Sequence, residues 1–294
     1  MIVLHESASV IGSALEALQS AAPRRGVRPI VVDNASTDDG AAIAARIAGE
    51  SNVIRLASNV GFAGGVNAGL ARSTSGTIAL VNPDLQFEPG ALDRMADALD
   101  AKPTVGLIGP LVRAADGSRE ATVGMFPTLA REQAHAWFLD RALGRAGRRA
   151  DQPVSACRVD WISGCAWLLR REAMQQVGPL DAGYFMYVED VDYARRLRDS
   201  GWEVWIEPLA NALHVRGTGS SRSSLLPADG GLSLIRYFEQ HASPRDAIAI
   251  RAVLRRGWSL RRMLHTVRGW CGSGVSARLA LRYERALSDL AAGR

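Results

Sequence analysis

The sequence of 294 residues lacks the features that mark secreted, membrane-spanning or cysteine-rich proteins. No apolar run reaches the roughly 18 residues that a membrane-spanning helix needs, and the first residues lack the basic segment and apolar core of a signal peptide. Cys157, Cys165 and Cys271 form neither a Cys-x-x-Cys pair nor an even set for disulfides. We therefore expect a cytoplasmic protein with reduced thiols.

Lysine is almost absent, because Lys102 is the only one and arginine supplies the rest of the 35 basic residues. The formal net charge is +5, and its basic character is concentrated near the C-terminus, in the segment RAVLRRGWSLRRMLHTVRGW. Such a tail alone does not predict a nucleic-acid site, and we expect no nucleic-acid partner. Hydrophobic residues make up 47% of the chain, which is enough for a sizeable folded core.

Short aliphatic runs alternate with helical patterns over residues 1–109, and this alternation predicts βαβ units and a parallel sheet. The predicted strands cover residues 2–4, 30–32, 53–56, 78–81 and 105–108. A helix between the first two has apolar residues at helical spacing, namely Val10, Ile11, Ala14, Leu15 and Leu18. Ligands of such sheets bind beyond the carboxyl ends of the strands, so the loops VVDNASTDDG, SNVGFAGGVNAG and VNPD are the candidate site.

The second half of the chain has a weaker pattern. We interpret residues 111–156 as an insertion with a helix around residues 137–139. A helix from Glu189 should end at Gly201, a suitable C-cap, and the strand WEVWIEP should stop at its proline. The remainder should be helical, with breaks near Pro244, Gly257 and residues 272–274. We therefore predict an α/β domain over 1–224 and a basic, amphipathic helical extension over 225–294.

Two segments of the α/β domain suggest a nucleotide site. Asp33 ends the second predicted strand, where its carboxylate could accept hydrogen bonds from a nucleobase or simply form a turn. The glycine-rich segment NVGFAGGVNAG precedes helical residues, so its backbone could approach a phosphate closely. It matches neither Gly-x-Gly-x-x-Gly nor a Walker loop, which excludes those two kinds of nucleotide site.

Asn82, Pro83 and Asp84 follow the strand TIALV, where a turn stiffened by proline would place Asp84 over the carboxyl edge of the sheet. A carboxylate there could bind a hard divalent cation that neutralises a departing diphosphate, or it could belong to a structural turn. His214 is either structural or a metal ligand, with Arg216 on phosphate.

Asp190 gives the sharpest signal. On the predicted helix it shares a face with Ala194 and Leu197, whereas Asp192 points elsewhere and can pair with a nearby arginine. An inward carboxylate without a cation on its own face is costly as structure and useful as a general base. We therefore predict that Asp190 is functional.

Five segments occur in one order over residues 1 to about 224 and together resemble the family 2 glycosyltransferases, above all the bacterial rhamnosyltransferase branch. They are VVDNASTDDG, NVGFAGGVNAGL, LVNPDLQFEPGAL, SGCAWLLRREAMQQVGPLDAGYFMYVEDVDYARRLRDSGWEVW and HVRGTGSS. The resemblance implies the GT-A fold, an α/β Rossmann-like nucleotide-diphospho-sugar transferase domain with a mostly parallel sheet flanked by helices. Two features depart from the family: IVLHES replaces a longer first strand that ends in a Thr-Tyr-Asn-like turn, and Asn82 replaces the first Asp of the metal turn.

The resemblance also implies roles for individual residues. Asp190 would be the catalytic base, and Asp84 and His214 would hold Mg²⁺ or Mn²⁺. The donor side, with Asp33 on the nucleobase, would comprise Asp33, Asn34, Gly61, Asn67, Asn82 and Arg216. The acceptor side would comprise Gly164, Cys165 and Glu189.

The function expected from the resemblance is inverting transfer of L-rhamnose from deoxythymidine-diphosphate rhamnose (dTDP-rhamnose) to a saccharide or lipid-linked acceptor in cell-envelope synthesis. A transferase for another UDP- or GDP-sugar and a non-catalytic sugar-binding module are the alternatives. A sugar-nucleotide pyrophosphorylase is disfavoured, because the chain lacks the N-terminal glycine-rich Arg/Lys signature of those enzymes.

The C-terminal extension carries an apolar stripe, flanked by arginines, that consists of Leu260, Met263, Leu264 and Val267. Helices of this kind lie on anionic membranes, which would place the protein at the inner face of the cell membrane. Packing of the stripe on the catalytic domain, or on a second subunit in a homodimer, is the alternative.

Overall fold

The computed structural model describes residues 1–139, 154–215, 228–270 and 273–292. Contacts divide the chain into two compact units. The first comprises residues 1–126, 148–185 and 189–222, and the second comprises residues 127–147, 186–188 and 223–294. No helix in the described ranges is long and apolar enough to cross a membrane.

The first unit is built on a nine-stranded sheet. Its strands are β1 (Ile2–Leu4), β2 (Val31–Asp33), β3 (Val53–Arg55), β4 (Thr77–Val81), β5 (Leu85–Phe87), β6 (Val105–Ala114), β8 (Cys157–Val159), β10 (Ala166–Arg170) and β11 (Glu203–His214). Eight of them follow the order β3-β2-β1-β4-β10-β6-β11-β5, and β8 also pairs with β11. Six of the nine run in one direction, and β5, β8 and β10 run against them. A separate antiparallel pair consists of β7 (Val123–Gly124) and β9 (Trp161–Ile162).

Helices of the first unit are α1 (Ala8–Ala21), α2 (Gly40–Ala48), α3 (Gly61–Arg72), α4 (Ala91–Asp100), α6 (Arg171–Val177) and α7 (Glu189–Asp199). Helices of the second unit are α5 (Leu129–Ala136), α8 (Ala228–His241), α9 (Pro244–Trp270) and α10 (Gly274–Ala292). The predicted apolar stripe of α1 is buried throughout and belongs to the main core, together with β1 and α4. The βαβ units predicted over residues 1–109 are therefore confirmed, and they place the polar loops at the carboxyl edge of the sheet.

The strand predicted to stop at Pro208 continues to His214, so that prediction is wrong. The β6–β11 pairing shifts register between Glu207 and Asn211, and this irregularity accommodates the proline. Within it, the Glu207 carboxylate accepts the backbone N–H of Leu209 at 3.0 Å. The strand then resumes its pairing with β6, which carries His214 to the level of Ala114.

Two predictions about the helical part of the chain are also wrong. Helix α9 runs unbroken through Gly257, where a Cβ atom would lie 3.0 Å from that of Ala136, so this glycine allows α5 and α9 to pack closely. The helix predicted around residues 137–139 does not include its first two residues, because helix α5 ends at Ala136, Trp137 is its C-cap and Phe138 lies in a turn. Arg261, buried on α9, donates hydrogen bonds to the terminal carbonyls of His135 and Ala136.

The glycine that begins α3 is required by a close backbone approach. Gly61 has a φ of 77°, and the N–H of Phe62 donates to the Phe185 carbonyl at 2.9 Å. A Cβ atom at position 61 would lie 2.4 Å from that carbonyl oxygen. Gly90 provides a comparison, because it has a φ of 75° and no atom within 4 Å of the position of its Cβ.

We predict that Gly61→Ala destabilises the protein more than Gly90→Ala. Both variants incur the left-handed backbone cost of about 1–2 kcal/mol, and only Gly61→Ala adds a clash with backbone, which should cost about 1–3 kcal/mol more. Urea unfolding followed by circular dichroism measures both losses. Equal losses for the two variants would contradict the close approach of Phe185.

Candidate active site

The loops that follow β1 and β2 are tied together at the carboxyl edge of the sheet. Asp33, the last residue of β2, is buried and its carboxylate accepts the N–H of Ser36 at 3.0 Å. The carboxylate of Asp38 accepts the N–H of Ala8, at the start of α1, at 2.7 Å. Asp33 is therefore held at the edge where the fold predicts ligands.

Asn34 connects this edge to the glycine-rich segment. Its amide nitrogen donates to the Asn59 side chain at 2.9 Å and to the Gly61 carbonyl at 3.0 Å, and its amide oxygen accepts the Val60 N–H at 2.9 Å. These bonds engage both ends of the amide. They support a structural role for Asn34 in fixing the loop before α3.

Asn67 on α3 also uses both its amide nitrogen and its amide oxygen in hydrogen bonds, in this case with Leu180. Its amide donates to the Leu180 carbonyl at 2.8 Å and accepts the Leu180 N–H at 3.0 Å. This reciprocal pair joins segments 113 residues apart, so the predicted donor contact of this side chain has no support from its hydrogen bonds. Arg216, the remaining predicted phosphate ligand, lies outside the described residues.

The predicted metal-binding residues, Asp84 and His214, are in contact. Asp84 lies in the turn between β4 and β5, and His214 is paired with Leu85, the first residue of β5. Nε2 of His214 is 3.1 Å from Oδ1 of Asp84, and the Val215 N–H donates to the Asp84 carbonyl at 2.9 Å. The extension of β11 beyond Pro208 is what makes this contact.

Glu120, which the sequence did not indicate, contacts the other ring nitrogen of His214. Nδ1 lies 2.9 Å from Oε2 of Glu120, and both side chains are largely buried. Burial alone would lower the pKa of His214, but the hydrogen bonds to Asp84 and Glu120 outweigh it and raise the pKa to about 10. The imidazole therefore interacts strongly with negative charge on both sides.

The pair of Asp84 and His214 fits a divalent cation that is shared with a phosphate ligand. No group of three His, Cys, Asp or Glu side chains in the described part of the chain could hold a metal ion alone. The 3.1 Å between Nε2 of His214 and Oδ1 of Asp84 is a hydrogen-bond length, and a cation bound by both side chains would replace this bond. Mg²⁺ is commonly held by one or two side chains together with substrate phosphates.

Asp190 lies in the first turn of α7 and is half-buried. Its Oδ2 accepts the N–H of Gly164 at 3.1 Å, and its Oδ1 accepts the N–H of Val191 at 2.8 Å. A Cβ atom at Gly164 would lie 3.7 Å from that of Asp190 and 3.3 Å from the Phe62 ring. The glycine therefore sits directly between the carboxylate and the start of α3.

Asp192, another carboxylate in the first turn of α7, is paired with an arginine and deeply buried. It pairs with Arg196 at 2.9 Å, as predicted, but it is only 1% exposed and thus more buried than Asp190. The predicted pairing of Asp192 with an arginine is therefore confirmed, and this carboxylate is buried as well. Arg196, which also donates to the carbonyls of Val177 and Pro179, compensates the buried charge.

Cys165 is buried immediately before β10, between the Gly164 that contacts Asp190 and the strand itself. Burial raises the pKa of its thiol to about 12, a hydrogen bond with Ser163 opposes the increase, and the charges of Glu120, Asp190 and Asp84 add to it. The Cys165 carbonyl also accepts the Asn82 N–H at 2.8 Å, which joins the metal turn to β10.

The structure thus brings most of the predicted residues to one region, which contains Asn82, Asp84, Gly164, Cys165, Glu189, Asp190 and His214. Chemically, this region offers a half-buried carboxylate beside two residues that could bind a cation. Sequence reasoning missed Glu120 because its contact with His214 spans 94 residues. The Asp116-Gly117 turn that delivers it was the available signal.

Comparisons with known proteins agree with this geometry. The model of the family "Glycosyl transferase family 2" matches residues 1–178. The N-acetylglucosaminyl-diphospho-decaprenol L-rhamnosyltransferase of Mycobacterium tuberculosis is 31% identical over 269 residues, covering 83% of this chain and 88% of that protein. Rhamnosyltransferase WbbL of Escherichia coli is 39% identical over 56 residues, which is 19% of this chain and 21% of that protein.

Two solved structures share the fold at 14% identity. GalNAc-T7, in complex with UDP, GalNAc and Mn²⁺, has a TM-score of 0.60 and covers 81% of this chain and 46% of its own. The mannosyltransferase PcManGT of Pyrobaculum calidifontis, in complex with GDP-Man and Mn²⁺, has a TM-score of 0.56 and covers 99% of this chain and 84% of its own. The family match, the curated relative and the shared GT-A fold establish that this chain belongs to glycosyl transferase family 2 and is a glycosyltransferase.

Proposed function

We propose that this glycosyltransferase moves L-rhamnose from dTDP-rhamnose to a lipid-linked saccharide, with inversion at the anomeric carbon. The observation that carries the mechanism is a set of contacts: the Gly164 N–H donates to Asp190, and the carbonyl of the adjacent Cys165 accepts the N–H of Asn82, two residues before the Asp84 that contacts His214. The named activity of the Mycobacterium tuberculosis relative supports rhamnose as the sugar and a diphospho-polyprenol saccharide as the acceptor. Another UDP- or GDP-sugar is the alternative donor.

In the proposed reaction, Asp190 removes the proton of the acceptor hydroxyl while the hydroxyl oxygen attacks the anomeric carbon of the donor sugar. The bond from that carbon to the diphosphate breaks, and its electron pair leaves with the diphosphate. The hydrogen bond from the Gly164 N–H fixes the Asp190 carboxylate. This contact supports placing the acceptor beside Gly164 and Cys165, and Asp33 remains the residue predicted to bind the nucleobase.

Asp84 and His214 are the residues that would hold Mg²⁺ or Mn²⁺, and the cation would neutralise charge that develops on the leaving diphosphate. The proximity of a carboxylate and an imidazole, together with the Mn²⁺ bound in both structural neighbours, supports this proposal. Among the residues predicted to bind the donor, Asn82 lies two residues before Asp84. Asn34 and Asn67 would contribute indirectly, by fixing the loops to which they are hydrogen-bonded. Arg216 remains a predicted phosphate ligand.

Glu189, the predicted acceptor-side carboxyl beside the base, should be neutral in the folded protein. Burial raises its pKa to about 8, and the neighbouring charge of Asp190 adds to the increase. Among the described residues, its Oε2 is one of the buried side-chain atoms without a hydrogen-bond partner. A neutral Glu189 would leave Asp190 as the anionic base.

This pKa predicts a pH dependence of stability. The folded protein keeps the proton of Glu189 up to about pH 8, whereas the unfolded chain loses it near the ordinary glutamate pKa of 4.5. The folded state therefore binds more protons in this range, and stability falls as the pH rises. We expect Glu189→Gln to remove this part of the dependence, as measured by urea unfolding at pH 5, 6.5 and 8.

Glu172→Gln, at an exposed position, is the matched control and should leave the pH dependence unchanged. The gain in stability from Glu189→Gln, relative to the unmodified protein, should be larger at pH 8 than at pH 5. A gain or loss that is the same at every pH would show that Glu189 is ionised in the folded state.

We predict that Asp190→Asn lowers the turnover number by about 10²–10⁴-fold, because the amide cannot accept the acceptor proton. Binding of dTDP, measured by calorimetry with Mg²⁺, should stay close to that of the unmodified enzyme. Asp199→Asn, at the exposed end of the same helix, is the control and should retain activity. Near-normal turnover by Asp190→Asn would reject the assigned base.

The substrate is tested with the same assay. Released nucleoside diphosphate is measured for dTDP-rhamnose, UDP-glucose, UDP-galactose and GDP-mannose, each with and without a polyprenyl-diphosphate N-acetylglucosamine acceptor. Release that requires both dTDP-rhamnose and this acceptor supports the proposal. Preference for a UDP- or GDP-sugar would reject the donor and leave the role of Asp190 intact.

We further propose that the outer face of α9 lies on anionic membrane, where a lipid-linked acceptor would be found. Met263, Val267 and Trp270 occur at helical spacing and are 57%, 51% and 83% exposed. Arg262 and Arg268 beside them are also exposed. This combination of apolar and cationic side chains is typical of helices that lie in the membrane interface.

We expect the double variant Met263→Asp and Val267→Asp to bind vesicles containing phosphatidylglycerol at least about 10-fold more weakly, since it loses apolar burial and gains negative charge. Flotation with purified protein measures the bound fraction. Leu209→Asp, at an exposed apolar position of the first unit, is the control. If the unmodified protein does not float but forms dimers that the double variant loses, the face is a subunit interface instead.

A further inference from the structure

We propose that Glu120 is a positioning residue, which holds Nδ1–H of His214 so that Nε2 of the same ring faces Asp84 and the cation. This inference rests on the proposed function, because it presupposes that Asp84 and His214 bind the metal. Glu120 is not part of the resemblance to the family segments, and the proposed chemistry does not use it directly. Its evidence is the geometry around the imidazole.

The local fold delivers Glu120 to this position. The chain reverses after β6, where the Gly117 N–H donates to the Ala114 carbonyl and the Ala114 N–H donates to the Ser118 carbonyl, both at 2.8 Å. The Glu120 N–H then donates to the Val112 carbonyl at 2.9 Å. Glu120 and His214 therefore reach the same end of β6, because the parallel β6–β11 pairing places His214 opposite Ala114.

The two carboxylates around His214 differ in exposure, and this difference assigns their roles. The side chain of Asp84 is 23% exposed, and that of Glu120 is 9% exposed. A cation that also binds a diphosphate must lie on the side open to substrate. Asp84, the more exposed carboxylate, is assigned to the side of the imidazole that is open to substrate, and Glu120, the more buried one, to the opposite side.

A carboxylate behind a metal-binding histidine has a defined physical effect. By accepting Nδ1–H it fixes the tautomer whose Nε2 lone pair can bind a metal, fixes the ring plane and increases the basicity of Nε2. Loss of such a partner typically weakens metal affinity about 10–100-fold. The 2.9 Å contact between Nδ1 and Oε2 has the length of such a bond.

The test measures Mn²⁺ binding directly, by electron paramagnetic resonance of free Mn²⁺, with dTDP present and with full-length protein. We expect Glu120→Gln to weaken Mn²⁺ affinity about 10–100-fold and Glu120→Asp to weaken it less, since it retains the charge. Glu203→Gln, at the opposite end of the strand that carries His214, is the matched control and should bind Mn²⁺ normally.

Turnover gives a second readout. If Glu120 positions the metal ligand, the Mn²⁺ concentration needed for half-maximal rate should rise in Glu120→Gln, and saturating Mn²⁺ should restore most of the turnover number. A merely structural role would lower the turnover number at every Mn²⁺ concentration. That result would overturn the inference. Circular dichroism monitors folding, and Glu120→Asp carries the test if Glu120→Gln does not fold.

Reference variants separate this inference from the proposed metal site. Asp84→Asn and His214→Ala should both weaken Mn²⁺ binding. If they do so and the Glu120 variants bind Mn²⁺ normally, the role of Glu120 is rejected and the metal site stands. If none of these variants changes Mn²⁺ affinity, the metal site itself is rejected, and the role of Glu120 with it.

Discussion

The parallel pairing of β6 with β11 is the constraint on which the candidate site depends. The register shift between Glu207 and Asn211 allows β11 to continue past its proline and to pair with β5 on its other side. These two pairings together fix His214 between the turn that carries Asp84 and the reversal that carries Glu120. If the strand stopped at Pro208, no ladder would hold the imidazole against either carboxylate, and the grouping of charges at this edge would be lost.

A second set of backbone contacts positions the proposed base. Helix α7 follows two residues with positive φ, Tyr187 and Val188, each at 69°. Non-glycine residues with this conformation are strained, and they persist where neighbouring contacts determine the path of the chain. The Phe185 carbonyl is held by the first turn of α3, and Asp190 is held by the Gly164 N–H. The loop that turns into α7 is thus fixed at both ends, which sets the direction of the carboxylate independently of helix propensity.

The sequence predicted the local features well and the distant contacts poorly. Alternating aliphatic runs and helical stripes were sufficient for β1 to β4 and for α1, because the period of apolar residues reports burial directly. Proline and glycine misled where tertiary packing overrides local preference: Pro208 lies in an irregular part of a paired strand, and Gly257 allows α5 and α9 to approach. Glu120 was missed because its contact with His214 depends on strand pairing across 94 residues, which the turn at Asp116-Gly117 signals only locally. Asp84 and Asp190 could be singled out because each follows a strand or begins a helix within a recognisable local pattern.

The charged side chains of the candidate site affect one another through the contacts described above. Asp84 and Glu120 contact the two ring nitrogens of His214. Burial lowers the pKa of this imidazole, but its hydrogen bonds to the two carboxylates outweigh burial and raise the pKa. Neighbouring carboxylates repel one another unless a cation lies between them. The imidazole separates Asp84 from Glu120, and the Gly164 N–H bonds Asp190 from another side. In the proposed function, a divalent cation held by Asp84 and His214 would attract a diphosphate that the carboxylates alone would repel. The residue proposed as the base lies on an element different from those of the proposed metal ligands, so leaving-group stabilisation and proton removal would not depend on one residue.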